Sequence, residues 1–167
     1  MNSTGECLKD RKPDHDHVPT AIITAAAYAR LLALCEAKLP DEACGVLTAD
    51  QSDAPHGAID GVLPIRNVAA SPTLAFRFHP NDWIMTYYAA QKNRQSIVGF
   101  FHSHPNASPI PSPSDESGWL ELSGHGPFTY WIVSVWGNAE QPACRAYRRS
   151  LRSDGSSMFA QVSIQVT

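Results

Sequence analysis

Paired cysteines are missing from this sequence. Cys7, Cys35, Cys44 and Cys144 stand far apart with no C-x-x-C unit among them, so their spacing does not read as a cysteine-built metal or redox motif. Cys35 and Cys44 lie in apolar runs, where buried free thiols are common, and unpaired thiols suit a reducing cytoplasm. A strong excess of either charge is also missing. The net charge is −3 and the isoelectric point about 6.1, which leaves no basic footprint for a nucleic acid. No apolar run approaches the length of a membrane span, and the polar N-terminus does not read as a secretory signal. No internal repeat appears. The expectation is a cytoplasmic protein with neither nucleic acid nor membrane as a partner.

What is present is an ordinary globular composition. The chain is 43% hydrophobic and 17% charged over 167 residues, enough for one domain with its own core. Its thirteen prolines imply many turns. Residues 1–17 are polar and charged without periodicity and read as a disordered tail. His15-Asp16-His17 lies in that tail. It has no apolar strand before it and no acid at a fixed distance after it, so it reads as solvated chain.

Ala21–Ile23 is a short strand candidate. Thr24 is placed to cap a helix to about Lys38, in which Tyr28, Leu31, Leu32, Cys35 and Leu39 form one apolar stripe. Pro40 ends that helix, and Asp41-Glu42 stand just before a strand over 43–48. A carboxylate at a rigid strand end is well placed for a catalytic base. A polar loop, a strand over 58–66, a turn over 67–72 and an alternating strand over 73–78 follow. Pro80 opens a second helix to about Gln95, with His79 as its cap. Ile84, Tyr87, Tyr88 and Gln91 recur there at helical spacing, and the aromatics read as core. A short helix over 114–123 precedes a turn holding His125. Strands then cover 128–136 and 143–149. A Ser/Gly linker over 151–157 leads to a last amphipathic strand, which could cover a sheet edge or pair with another subunit in a homodimer. Strands and helices are mixed, with too few helices for a doubly wound fold. The fold class is α+β, a curved mixed β-sheet with a helix on each side.

The chemistry concentrates in residues 97–118, IVGFFHSHPNASPIPSPSDESG. The apolar run Ile97–Phe101 delivers His102 and His104, one residue apart. Alternate side chains of a strand share a face, so both imidazoles can aim at one point. Pro105 ends the ladder, and Pro109, Pro111 and Pro113 stiffen the loop beyond it. Ser112-Pro113-Ser114-Asp115 has the form of a helix start. Taken singly, Ser112 and Asp115 read as helix caps, and the histidines as an exposed strand end. Taken together, two imidazoles and one carboxylate make a three-ligand set with one position left for water, the arrangement of catalytic zinc.

The run His102-Ser103-His104, then Ser112 after seven residues and Asp115 after two more, resembles the JAMM (MPN+) motif of zinc metalloproteases in its prokaryotic form. Glu42 stands where that family has an upstream glutamate. The order of elements fits from about residue 20 to 150. The resemblance implies an MPN/JAB-like, cytidine-deaminase-like single domain over 18–150, after the tail 1–17 and before a C-terminal linker and strand over 151–167. It implies one Zn²⁺ held by His102, His104 and Asp115. Glu42 would be general base and Ser112 the donor to the oxyanion. The substrate it implies is a ubiquitin-like β-grasp protein of the sulfur-carrier type, cut after its C-terminal Gly-Gly. No Cys/His set lies between His104 and Asp115 for a second zinc, so selectivity among ubiquitin chains is not expected. Two other readings stay open. The N/N/O set also suits non-haem Fe(II) or a cupin-like oxidoreductase, although a cupin needs a Glu where Ser108, Pro109 and Ile110 stand. A non-catalytic MPN scaffold is the other, although all five functional positions are kept.

Overall fold

The computed structural model describes residues 19–123, 126–137, 142–151 and 154–167. The proposed tail, with Cys7, His15 and His17, and the turn residue His125 lie outside the described residues. Seven strands form one mixed sheet. They are β1 (Thr20–Ile23), β2 (Cys44–Asp50), β3 (Gly61–Ile65), β4 (Gln95–Pro105), β5 (Thr129–Val135), β6 (Ala143–Leu151) and β7 (Ser157–Val166). Their order across the sheet is β1-β7-β6-β5-β4-β2-β3. β4 pairs in parallel with β5, and β1 with β7, while the remaining neighbours are antiparallel. The helices among the described residues are α1 (Ala25–Ala37), α2 (Pro80–Lys92) and α3 (Pro113–Ser123). The α+β reading holds.

Two apolar clusters cover the two faces. Helix α1 starts at Thr24, whose hydroxyl accepts the Ala27 N–H at 3.2 Å, and puts Leu31 and Cys35 into a cluster with Leu47, Phe101, Trp131 and Val133. On the other face Val46, Phe100, Tyr130, Ile132 and Tyr147 pack around Trp119 of α3. The Trp119 ring lies 4.5 Å from Tyr130 and 4.9 Å from Phe159 of β7. That packing seats α3, and with it Asp115. β7 itself lies between β6 and β1 and pairs with both.

Two expectations need correction. Residues 73–78 are not a strand. Phe78 makes one isolated bridge to Asn67, and the Asn67 side chain takes the backbone bonds that a ladder would otherwise supply. The aromatics of α2 are not core either. Ile84, Tyr87 and Tyr88 are 49%, 45% and 65% exposed, and Trp83 alone carries the aromatic contact to Phe78 and Phe100. Helical spacing groups residues on one face but does not say whether that face is covered. The helix also stops at Lys92, because Asn93 caps it and Arg94 turns the chain at φ 56°. His79 is the N-cap as expected, accepting the Asp82 N–H at Nδ1.

The two helices should therefore respond oppositely to truncation. Leu31→Ala removes a fully buried side chain and should cost about 2–5 kcal/mol in denaturant melts. Tyr88→Ala should stay within about 0.5 kcal/mol.

Candidate active site

Strand β4 is an interior strand, and its C-terminal end carries the site. His102 stands opposite Cys44 of β2 and Ile132 of β5, and His104 opposite Ser134. Both imidazoles therefore leave the same face of the sheet. Ser103 points the other way, where its hydroxyl accepts the Ala43 N–H at 2.8 Å. The chain then turns out of the sheet at Asn106, at φ 54°. The loop beyond is pinned residue by residue. Ala107 O accepts from Ser134 at 2.6 Å, Ser108 O from His104 Nδ1 at 2.9 Å and Pro109 O from Tyr147 at 2.7 Å. Its end is a reciprocal cap. The Ser112 N–H donates to Asp115 Oδ2 at 2.7 Å, and the Asp115 N–H donates to Ser112 Oγ at 3.2 Å.

The three donors converge. The two Nε2 atoms are 3.0 Å apart. Asp115 Oδ1 lies 3.3 Å from His102 Nε2, and Oδ2 lies 3.4 Å from His104 Nε2. A tetrahedral site with bonds of about 2.0–2.1 Å has edges of roughly 3.3–3.4 Å, so the donor spacing fits one small cation. A carbonyl cannot donate, so His104 carries its proton on Nδ1 and keeps the Nε2 lone pair for the cluster. Among the described residues this is the group of His, Cys, Asp or Glu that could hold a metal.

Glu42 and Ser112 share a cavity of about 200 Å³ with Thr73, Leu74, His104 and Asp115. His102 is fully buried beneath it. Glu42 is only 6% exposed, and its Oε2 has no hydrogen-bond partner among the described residues. Burial pushes its carboxyl up to about 7, with His104 pulling it down and Asp115 pushing it further up. Burial lowers the pKa of His102, favouring the neutral imidazole that binds metal. Burial also acts to lower His104, but Asp115, the Ser108 carbonyl and Glu42 outweigh it. Burial alone would raise Asp115, yet hydrogen bonds from both histidines and from the Ser112 N–H hold it well below the ordinary carboxylate range.

Ser112 Oγ also lies 2.8 Å from Ser114 Oγ. With Ser114 as the donor of that bond, the Ser112 proton is left for another acceptor. Sequence reasoning missed three supporting residues. Phe76 stacks on His102, ring centroids 4.7 Å apart, Asn67 binds the Glu42 carbonyl, and Ser103 holds Ala43. The signal for Ser103 was its place between two candidate ligands in a strand, on the opposite face. The other two act through a loop conformation with no periodic pattern.

The family described as prokaryotic homologs of the JAB domain matches residues 24–150. The chain belongs to the prokaryotic JAB family. This JAB-domain chain is 40% identical over 76 residues to a desampylase of Haloferax volcanii, covering 46% of this chain and 52% of that protein. It thus spans about half the length of that relative. It is 28% identical over 122 residues to a desampylase of Pyrococcus furiosus, covering 69% of this chain and 83% of that one. A probable TtuB-protein conjugate cleaving protease of Thermus thermophilus is 32% identical over 63 residues, 36% of this chain and 43% of that one. Among solved structures, protein DSY2949 from Desulfitobacterium hafniense superposes with a TM-score of 0.69 at 26% identity, covering 89% of this chain and 92% of that one. The family match, residues 24–150, spans the site just described.

The buried carboxylate carries a pH signature in the chelated protein. Burial pushes the Glu42 carboxyl from its ordinary value of 4.5 up to about 7, so burying its charged form opposes folding at high pH. Its contribution is full below about 4.5 and is lost as pH rises through about 7. Paired melts with chelator present should show Glu42→Gln gaining on wild type between those values, with no further gain above them. Parallel melting curves at all pH values would mean that the carboxylate is not buried.

Proposed function

We propose that this JAB-family chain is a zinc metallopeptidase of the isopeptidase type. Its proposed substrate is a ubiquitin-like β-grasp protein of the sulfur-carrier type, cut after its C-terminal Gly-Gly. The observation that carries the reading is a small cavity lined by His104, Asp115 and Ser112 above the buried His102, beside a buried Glu42 carboxylate whose Oε2 has no hydrogen-bond partner among the described residues. Relatives named desampylase and TtuB-protein conjugate cleaving protease support the substrate class. A Gly-Gly tail suits the narrow cleft, because only hydrogen must pass the metal ligands and the extended tail can bond through its main chain.

In this reading His102, His104 and Asp115 hold one Zn²⁺. When bound, zinc acts as a Lewis acid and lowers the pKa of water from about 15.7 to about 7. Glu42 accepts the proton of the attacking water, aided by a pKa that burial raises toward neutrality. Glu42 then passes that proton to the departing nitrogen, which leaves as a neutral amine. Ser112 donates to the oxygen of the attacked carbonyl as negative charge builds there. The family match and the Glu42 placement favour this hydrolysis over the Fe(II) and cupin readings, which give Glu42 no role.

Asp115→Ala should lose zinc and turnover together, read by metal analysis and a Gly-Gly-linked reporter. Unchanged metal content in that variant would remove Asp115 from the ligand set. Glu42→Gln should keep zinc and fold while turnover falls by roughly 10²–10⁴. Wild-type turnover would leave Glu42 as a buried charge without a catalytic task.

Ser112→Ala separates the cap from the oxyanion donor. Cap loss alone costs about 0.5–2 kcal/mol of stability. Loss of an oxyanion donor lowers kcat by roughly 10²-fold or more. The expected result is both, with zinc retained. A lowered melting temperature with intact kcat would leave Ser112 a cap.

A further inference from the structure

The backbone of Glu42, two residues before β2, is held by residues from outside that strand. Its N–H donates to the Pro72 carbonyl at 2.7 Å, and its carbonyl accepts from Asn67 Nδ2 at 3.1 Å. The same Nδ2 donates to Ala75 O at 3.0 Å, with a longer contact to Pro72 O at 3.4 Å. Asn67 Oδ1 accepts from the Ala69 and Arg77 N–H groups, each at 3.0 Å. The amide thus uses both its donor protons and both its lone pairs. All the partners of Nδ2 are carbonyls and both partners of Oδ1 are N–H groups, so the orientation of the amide is fixed by its surroundings.

The segment closed by this amide carries functional surface. Thr73 and Leu74 line the cleft shared by Glu42, His104 and Asp115, and Phe76 stacks on His102 at an interplanar angle of 25°. One half-buried side chain therefore joins Glu42, the wall of the cleft and the ring that covers a proposed ligand. We propose that Asn67 is a positioning residue, which sets Glu42 over the proposed metal ligands and couples it to the cleft wall at Thr73–Leu74. The proposal rests on the reading of Glu42 as general base. The amide acts through Glu42 and need not touch the substrate. A misplacement of about 1 Å in a reacting group can cost on the order of 10²-fold in rate, so a backbone anchor at Glu42 has leverage on turnover.

Two variants test it in the zinc-loaded full chain. Asn67→Asp keeps the acceptor bonds to the Ala69 and Arg77 N–H groups and loses the donated ones to Glu42 O and Ala75 O, so those two N–H groups stay bound while Glu42 is released. Asn67→Ala loses both sets. Amide hydrogen exchange should quicken at Glu42 in both variants, and at Ala69 and Arg77 in Asn67→Ala only. In both, kcat on a Gly-Gly-linked reporter should fall by roughly 10- to 100-fold with zinc content retained and KM changed far less. In a Glu42→Gln background the same substitutions should lower kcat no further, because the two residues act as one unit. Unchanged exchange at Glu42 would overturn the proposal. So would faster exchange with kcat intact, or losses that multiply with that of Glu42→Gln. If Glu42→Gln alone keeps wild-type turnover, the general-base reading fails instead, and exchange at Glu42 then decides the positioning claim by itself.

Discussion

The structure depends on one strand being paired on both sides. β4 is locked between antiparallel β2 and parallel β5, and slipping it by one residue would turn both imidazoles into the opposite layer. Everything else at the site is placed relative to that register. Glu42 stands two residues before Cys44, the partner of His102. The loop after Pro105 is tied to β5 and β6 through Ser134 and Tyr147. Asp115 comes back toward the histidines because Trp119, one turn further along α3, is anchored in the aromatic cluster over the sheet.

This arrangement opposes stability locally. Buried polar atoms are normally satisfied, yet Glu42 Oε2 and His102 Nδ1 have no partner among the described residues. Two imidazoles and two carboxylates gather with little exposure, His102 fully buried, Glu42 6% exposed and the His104 and Asp115 side chains 12% and 11% exposed. The surrounding packing, with Phe101, Trp131 and Ile132 fully or almost fully buried, offsets that cost. A polar constellation held rigid at an energetic cost is what a preorganised site requires.

The histidine pair, Asp115 and the helix start at Ser112 were legible because each follows a local rule: strand alternation, proline punctuation and a capping residue. The stripe on α1 was legible for the same reason. The 73–78 segment was not. Its alternating residues satisfy the strand pattern, but a single asparagine side chain competes for the backbone bonds and wins, and no period announces that. The outward aromatics of α2 were missed because periodicity does not tell a covered face from an open one. Glu42 was legible as a strand-end carboxylate, while its burial and raised pKa emerge only from the loop folded over it.

The proposed reaction is hydrolysis, in this cleft, of the bond after a terminal Gly-Gly. The most direct measurement is intact mass. The zinc-loaded chain is incubated with a β-grasp carrier protein extended past Gly-Gly, either by one amino acid or through a lysine side chain, and the products are weighed. The expected product is a carrier ending at Gly-Gly, with one oxygen of solvent ¹⁸O-water in the new carboxylate, and none of this product forms in the presence of chelator. An intact carrier, or cleavage at another bond, would contradict it.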